Sequence, residues 1–295
     1  MPSHHHLLPI LAAFLAVAAL SLMDAVMKGA ALATGVYTAT FLRAVMGAAI
    51  IAPFWLLRDF RFPSRVVMRL HLERGVVSAF MALAFFYSLT KLPINEAIAI
   101  SFIAPLIALY LARVLLGEVI RPQAIIASVL GFAGTLVIVG GKIGQGAFDE
   151  EAALGLAAVL FSALLYAYNF IVIRKQSQLA GPLEVATFHS GVGGLVLAGF
   201  APFFWQTPDM PALGAIGAGA ALTVIASLAL AWSYARAETQ VLVPIEYSGF
   251  LWAILFGWAF FGEGVSAATL AGTGLIVTGC WLATRRPQVR REQLS

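Results

Sequence analysis

The architecture of this chain follows from two related apolar stretches: Tyr87–Glu118, YSLTKLPINEAIAISFIAPLIALYLARVLLGE, and Trp232–Glu263, WSYARAETQVLVPIEYSGFLWAILFGWAFFGE. An offset of 145 residues superimposes them, and both end in Gly-Glu. Each contains an apolar run of about 20 residues, which is the length of α-helix that crosses the hydrocarbon core of a bilayer. The pair therefore predicts a membrane protein with an internal repeat.

The composition of the whole chain agrees with this prediction. Of its 295 residues, 61% are hydrophobic and 11% are charged, and the mean hydropathy is +0.92. Soluble domains are about 45–50% apolar and about 25% charged. These values exclude a soluble enzyme, a nucleic-acid-binding domain and a disordered chain. In a membrane protein the net charge of +4 reports topology and does not indicate a nucleic-acid partner.

Ten apolar runs are candidates for membrane spans, and connections too short to hold a soluble domain separate them. Because the runs are apolar on all faces and do not alternate in polarity, they predict helices and exclude barrel strands. The expected fold class is an all-α integral membrane protein with ten transmembrane helices. The runs are Leu7–Met27, Val36–Leu57, Gly75–Thr90, Ile94–Leu116, Gln123–Gly141, Ala153–Ile173, Val185–Trp205, Ala212–Tyr234, Val241–Phe261 and Val265–Ala283.

The distribution of lysine and arginine predicts the orientation. With ten spans, fourteen of the 18 basic residues fall on the side of the N-terminus and four on the other side. Arg74 counts among the fourteen, as part of a connection over residues 58–74. Cytoplasmic connections carry the excess of basic residues. We therefore expect a multi-pass protein of the inner membrane with both termini in the cytoplasm.

The repeat divides the chain into residues 7–141 and 153–284, with five predicted spans in each part. An odd number of spans inverts the second part relative to the first. Inverted repeats are typical of secondary transporters, which bind substrate near the membrane midplane between the repeats. A channel could share this symmetry, but the sequence has no selectivity-filter motif such as TVGYG.

Glu246 is the first candidate for a functional residue. It lies about five residues, or roughly 8 Å, inside the ninth span and follows Pro244 by two residues. A proline interrupts helical hydrogen bonding, and interrupted helices in corresponding spans point to a transporter binding site. The fourth span contains Pro105, although not in register with Pro244. Glu246 is expected to contact substrate or a proton; the alternative is an ion pair with a structural arginine.

Asp24 and Arg43 are the other charged candidates, since charges at membrane depth are costly unless they face a cavity or a partner. Arg43 could clamp a carboxylate or phosphate in two-point fashion, or neutralise Asp24 or Glu246. Asp24 could face a cavity or pair with Lys28, four residues further along the same helix face.

Polar and aromatic residues complete the candidate substrate site. Asn169 must hydrogen-bond within the bundle, either to a helix or to substrate. Tyr247 adjoins Glu246, and Tyr87 aligns with Trp232 under the repeat offset. Aromatic rings in a cavity can stack on a planar or cationic substrate, but Tyr and Trp also form belts at membrane interfaces. His189 is interpreted as a packing residue.

The sequence contains no motif for catalysis or cofactor binding. HExxH, P-loop, GxSxG and strand–helix GxGxxG signatures are absent. His4–His6 do not predict a metal site, and the single cysteine, Cys280, cannot form an internal disulfide. We therefore expect no enzyme activity, no cofactor and no metal.

The predicted spans and candidate site residues resemble those of the EamA-type branch of the drug/metabolite transporter superfamily. The resemblance extends over about residues 7–141 and 153–284. The resemblance rests on Asp24–Lys28 (DAVMK), Phe41–Arg43 (FLR), Arg74-Gly75, Tyr87–Glu118 and Trp232–Glu263 with its Pro-Ile-Glu-Tyr. The Asp-x-x-x-Lys, Phe-x-Arg and Pro-x-Glu-Tyr combination resembles in particular the S-adenosylmethionine and riboflavin carriers. The resemblance implies two inverted five-helix repeats, a central cavity and alternating access.

The expected function is secondary transport of a small organic metabolite that is S-adenosylmethionine-like, riboflavin-like or amino-acid-like. Its partners would be that metabolite and membrane lipid, with a homodimer left open. Two alternatives remain: a flippase for a lipid-linked carrier, and a non-transporting membrane subunit of the same fold.

Overall fold

A computed structural model describes residues 7–58, 61–92, 94–101, 103–143, 150–261 and 267–284, and within these ranges the regular structure is helical, with no strand. The α-helices are α1 (Leu7–Thr34), α2 (Val36–Arg58), α3 (Arg65–Lys91), α4 (Ile94–Ser101), α5 (Ile103–Leu111), α6 (Pro122–Ile143), α7 (Glu150–Leu179), α8 (Pro182–Ala198), α9 (Ala201–Phe204), α10 (Met210–Arg236), α11 (Thr239–Leu242), α12 (Ser248–Phe261) and α13 (Ala267–Thr284). The predicted all-α class is confirmed.

In the described part of the chain, six helical stretches are long and apolar enough to cross a membrane. Shorter apolar helices cover Ile103–Leu116, Pro122–Gly134 and Leu270–Gly279. The six candidate spans are Leu7–Thr34, Val36–Arg58, Arg65–Lys91, Ala153–Leu179, Met210–Arg236 and Thr239–Phe260.

The predicted connection over residues 58–74 is wrong at its C-terminal end. Helix α3 begins at Arg65, where Ser64 caps it by accepting a hydrogen bond from the backbone N–H of Val67 (3.4 Å). Arg74 therefore lies about 14 Å along the helix from its start. Its side chain is buried, with 4% of its surface exposed. The many charged residues at the start of α3 had concealed this part of the helix from a hydropathy count.

The predicted helix interruption at Pro244 is confirmed. A 3-10 segment, Val243–Tyr247, separates α11 from α12 and contains both Pro244 and Glu246. Proline has no backbone N–H to donate, and the tighter winding accommodates that loss. The segment is fully buried, so its change of winding sets the direction of the Glu246 side chain inside the bundle.

The stretch after α5 is also irregular. A π-helical turn, Ala112–Leu116, follows α5 and ends at Gly117, which adopts a left-handed conformation with φ of 68°. Glycine adopts this conformation without steric cost and commonly ends helices in this way. The pair that corresponds to Gly117-Glu118 in the second quoted stretch, Gly262-Glu263, lies outside the described residues.

Four helix pairs form the main packing contacts: α1 with α10, α3 with α7, α2 with α8, and α6 with α13. Glycines allow some of these helices to approach closely, as small residues do in membrane bundles. A Cβ atom on Gly75 would lie 2.3 Å from Val192, and one on Gly131 would lie 2.5 Å from the ring of Tyr247. These contacts enclose a central space between α1, α2, α3, α4, α7, α8, α10 and the 3-10 segment.

Candidate functional site

A cavity of about 190 Å³ lies in the centre of the bundle. Four predicted site residues line it together: Asp24 from α1, Arg43 from α2, Asn169 from α7 and Glu246 from the 3-10 segment. Helices far apart in sequence thus bring these residues to a single site. Further polar residues on its walls are Ser21, Arg74, Ser78, Ser101, Ser162, Tyr166, His189, Thr223, Ser227 and Tyr234.

Glu246 has a defined hydrogen-bond partner. Its side chain is 5% exposed, and the Tyr166 hydroxyl donates a 2.7 Å hydrogen bond to its Oε2 atom. Ser21 joins α1 to the start of α12 beside it, by donating to the carbonyl oxygen of Gly249 (3.2 Å). Among the described residues no arginine or lysine lies within 4.0 Å of the Glu246 carboxylate. The predicted alternative of an ion pair with a structural arginine is not formed here.

Arg43 crosses from α2 to α10. One terminal nitrogen, Nη1, donates a 2.8 Å hydrogen bond to the Thr223 hydroxyl, which itself donates to the carbonyl oxygen of Gly219 (2.8 Å). The guanidinium carbon lies 5.5 Å from the centre of the Phe86 ring, within the range of a cation–π interaction. The Nε atom is buried and has no hydrogen-bond partner in the described structure.

Arg74 is held by two neutral amides of α7. Its Nε donates to Asn169 Oδ1 (3.0 Å) and its Nη1 donates to Gln176 Oε1 (3.1 Å). Asn169 uses its own amide to donate to the Ser78 hydroxyl (3.2 Å). The guanidinium is thus fixed against the cavity wall without a carboxylate to neutralise it.

The network continues from Gln176 away from the cavity. The Gln176 amide hydrogen-bonds to Nδ1 of His71, and Nε2 of His71 lies 2.8 Å from Glu184 Oε1. The His71 ring is fully buried and stacks on Phe188 with 4.2 Å between the ring centres. A continuous path of hydrogen bonds therefore runs from Glu184, which is partly exposed in the first turn of α8, to Arg74 at the cavity.

Arg43 forms no ion pair with either cavity carboxylate. Among the described residues, no carboxylate oxygen lies within 4.0 Å of the Arg43 or Arg74 guanidinium. Arg43 and Asp24 are near enough to interact electrostatically through the cavity, but not in direct contact. Opposite charges therefore face one space without neutralising each other by contact.

The structure does not bring the three predicted aromatic residues into this cavity. Tyr247 is 1% exposed and packs on Gly131 of α6. Neighbouring residues in a 3-10 helix point about 120° apart, so Tyr247 and Glu246 face different sides. Tyr87 is 37% exposed, and Trp232 packs under the guanidinium of Arg236 at 4.2 Å. The aromatic lining consists instead of Phe85, Phe86, Tyr166, Phe170 and Tyr234.

Arg74, Tyr166 and His189 are among the cavity residues that the sequence analysis missed or assigned another role. A helical periodicity could have identified Arg74, since residues 74, 78, 81, 82 and 85 all line the cavity from one face of α3. His189 was interpreted as a packing residue, yet it lines the cavity, and its Nδ1 atom is buried without a partner in the described structure.

Metal binding finds no support in the described residues, which contain no group of three or more His, Cys, Asp or Glu side chains suited to an ion. His4–His6 lie outside the described residues, and the side chain of Cys280 is not described.

Proteins named as transporters match this chain over most of its length. It is 26% identical to the pseudopaline exporter CntI of Pseudomonas aeruginosa, over 94% of this chain and 95% of the exporter. It is 29% identical to a riboflavin transporter of Rhizobium johnstonii, over 76% of this chain and 72% of that protein. It is 26% identical to an S-adenosylmethionine uptake transporter of Rickettsia felis, over 70% and 68% respectively.

A solved crystal structure shares the fold, with a TM-score of 0.78 and 22% sequence identity over 94% of this chain and 98% of that one. The model of the EamA-like transporter family matches residues 7–140 and again residues 153–285. With its apolar helices, the chain is a multi-pass membrane protein of the transporter class. The chain therefore belongs to the EamA-like transporter family.

Proposed function

We propose that this protein is a secondary transporter that carries a small organic metabolite across the inner membrane by alternating access. The observation that carries the proposal is the buried central cavity, which is lined by charged residues from both parts of the chain. Arg43 and Arg74 belong to residues 7–141, and Glu246 belongs to residues 153–284. Charged groups at membrane depth mark substrate and ion pathways.

The pattern of helix packing supports two inverted five-helix repeats. In this arrangement each helix of the first repeat has a counterpart in the second. Helix α1 corresponds to α7, α2 to α8, α3 to α10, α4 with α5 to α11 with α12, and α6 to α13. A two-fold relation requires the α1–α10 contact to have a counterpart between α3 and α7, and these are two of the most extensive contacts. It also relates α2 to α8 and α6 to α13, which are the other two main pairs. Rocking of such repeats about a central site is a common route to alternating access.

Contacts between connections support the ten-span topology. Lys91 Nζ lies 2.7 Å from Glu151 Oε1, and both residues belong to connections assigned to the outer side. The backbone N–H of Thr239 donates to Glu118 Oε1 (3.3 Å), and Arg174 Nε lies 3.5 Å from the same oxygen. Those three residues belong to connections assigned to the cytoplasm. Each contact joins connections that the distribution of basic residues places on one side.

Counterflow in proteoliposomes tests the proposal. Purified protein is reconstituted with an excess of unlabelled compound inside, and uptake of the labelled compound is followed for S-adenosylmethionine, riboflavin and several amino acids. Accumulation of one label that its analogues compete away is the expected result. Silence across the panel, with folded protein, would remove these relatives as a guide to the substrate and favour the lipid-linked alternative.

A non-transporting subunit makes a different prediction. It needs only surfaces that face lipid and partners, so the cavity charges would have no role in flux. Wild-type flux in both Glu246→Gln and Arg43→Ala proteins would contradict the cavity as the transport site.

A further inference from the structure

Among the described residues that line the cavity, the charges balance. Asp24 and Glu246 contribute two carboxylates, and Arg43 and Arg74 contribute two guanidiniums. A guanidinium keeps its positive charge in proteins. Neither guanidinium touches a carboxylate of the described residues, so the balance does not arise from internal ion pairs.

Both arginines retain unused donors. A guanidinium has five N–H donors in a planar fork. Arg74 uses two of these groups on neutral amides, and Arg43 uses one on the Thr223 hydroxyl while its Nε is buried without a partner in the described structure. Because these partners are uncharged, they position the two guanidiniums but leave their charge uncompensated. A carboxylate or a phosphate has the geometry that fits such a fork.

The part of the site around Arg43 and Arg74, here called the basic side, also contains His189 and hydroxyl groups that can form hydrogen bonds with a substrate. A side chamber of about 30 Å³ is lined by Arg43, Ser78, His189 and Thr223, and its described lining contains no carboxylate. The buried Nδ1 of His189 has no hydrogen-bond partner among the described residues. This part of the site is therefore built for an anionic group.

The part of the cavity around Asp24 and Glu246, here called the acidic side, can bind a cationic group. Tyr166 occupies one oxygen of the Glu246 carboxylate, and the other oxygen has no hydrogen bond from a described residue. Asp24 lines the same cavity from α1. An ammonium group there would donate hydrogen bonds to these carboxylates, and such charge-assisted hydrogen bonds are stronger than neutral ones.

From this arrangement, and resting on the proposed function, we infer that the transported metabolite is a zwitterion. Its carboxylate binds at Arg43 and Arg74, and its cationic group binds at Asp24 and Glu246. A cation alone leaves both buried guanidiniums unpaired, and an anion alone leaves both carboxylates unpaired; unpaired buried charges are costly. An uncharged solute such as a flavin satisfies neither side.

The first experiment measures which charges the substrate needs. The protein is reconstituted and loaded with the proteinogenic L-amino acids, and counterflow of the labelled mixture is followed in parallel with labelled S-adenosylmethionine and riboflavin. For each amino acid that exchanges, the methyl ester removes the carboxylate charge and the N-acetyl form removes the ammonium charge. The inference expects the zwitterion to compete at least tenfold better than either derivative. Equal competition by a derivative overturns it.

This experiment separates the two levels of the argument. Exchange of riboflavin that zwitterions fail to inhibit would overturn the zwitterion inference and leave the transporter proposal standing. Exchange of S-adenosylmethionine, which carries an amino-acid group, supports the inference only when its methyl ester fails to compete.

Two cavity variants test the assignment through the ratio in which each derivative and the zwitterion compete. A purely structural role of these residues would not change that ratio. Arg74→Gln makes the lining one unit more negative, so competition should shift towards the cationic methyl ester relative to the zwitterion. Glu246→Gln makes it one unit more positive and should shift competition towards the anionic N-acetyl form. We expect a change of at least about fivefold in each ratio, in opposite directions.

Matched controls remove the same charges outside the cavity. Arg69→Gln alters an exposed arginine of α3, five residues before Arg74, and Glu150→Gln alters an exposed glutamate at the start of α7. Both controls should keep the wild-type ratios. Ratios that shift in the same direction in both cavity variants, or that shift equally in the controls, would overturn the assignment.

Discussion

The Tyr166 hydroxyl donates a 2.7 Å hydrogen bond to Glu246 Oε2, joining α7 to the 3-10 segment between α11 and α12. The bond connects a continuous helix to an interrupted one inside the cavity. Glu246 is therefore held in one orientation while its second oxygen has no hydrogen bond from a described residue. A movement of the 3-10 segment relative to α7 would have to break or carry this bond, so in the mechanism we propose the pair would link substrate binding to helix movement.

We predict that Glu246→Gln lowers counterflow at least about tenfold and that Tyr166→Phe lowers it less. Loss of a hydrogen bond to a charged group costs about 1.5–3 kcal/mol, whereas Glu246→Gln also removes the charge itself. Because both changes act on one contact, the double variant should be no slower than Glu246→Gln alone. Initial counterflow rates at matched protein content measure this.

The control for this pair is Tyr110→Phe, which removes the hydroxyl of an exposed tyrosine on α5. It should keep the wild-type rate. Additive losses in the double variant would show that Tyr166 acts independently of Glu246.

A second prediction concerns the buried path behind Arg74. Gln176 accepts from Arg74 Nη1 and contacts His71, and its side chain is fully buried. Gln176→Ala should destabilise the protein by about 1–3 kcal/mol, because it leaves buried polar groups unsatisfied. The unfolding temperature in detergent measures the effect.

Gln178→Ala is the matched control on the same helix. The Gln178 amide donates to the carbonyl oxygens of Tyr234 and Ala235 at 3.2 Å, but the residue is exposed, so water can replace those bonds. Its unfolding temperature should fall less than that of Gln176→Ala. Equal falls would contradict a structural role for the buried path.

Much of the candidate site could be predicted from the cost of placing charge in a membrane. Asp24, Arg43 and Glu246 stand out because each interrupts an apolar run, and the proline two residues before Glu246 indicated an interrupted helix. The cavity lining contains all three, together with Asn169. Intramembrane charge is a strong sequence signal because few other functions justify its cost.

The remaining features of the site depend on helix register and on tertiary contacts, which local sequence patterns do not reveal. Arg74 was assigned to a connection because the first ten residues of α3 contain five charged or histidine side chains. Their polarity did not indicate a membrane span. Tyr247 adjoins Glu246 but points elsewhere, since a change of one residue rotates the side chain by about a third of a turn. The choice of Thr223 as the Arg43 partner reflects packing between α2 and α10, which no local pattern reports.

A third prediction tests the packing that supports the 3-10 segment. A Cβ atom on Gly131 would lie 2.5 Å from the Tyr247 ring, so Gly131→Ala forces α6 and the segment apart. Overpacking of this kind costs about 1–3 kcal/mol. Because Tyr247 follows Glu246 directly, we also expect counterflow to fall.

Gly214→Ala is the control, since a Cβ atom on Gly214 of α10 has nothing within 4 Å. It should leave stability unchanged or raise it, as alanine favours helix over glycine by about 1 kcal/mol. In the Gly131→Ala background, Tyr247→Ala should recover part of the lost unfolding temperature. No recovery would mean that the clash lies elsewhere.

The last prediction tests the inverted topology through a pair of residues that the repeat aligns. Lys91 and Arg236 correspond under the offset of 145 residues, and they end α3 and α10. In two inverted repeats these equivalent positions lie on opposite sides of the membrane. In a Cys280→Ser background, Lys91→Cys should react with a membrane-impermeant maleimide in intact spheroplasts, whereas Arg236→Cys should react only after lysis. Glu150→Cys and Arg69→Cys give a second outer and cytoplasmic pair. Labelling of Lys91→Cys and Arg236→Cys from the same side would rule out inverted repeats, and with them the rocking mechanism, because the two parts would then be related by an axis along the membrane normal.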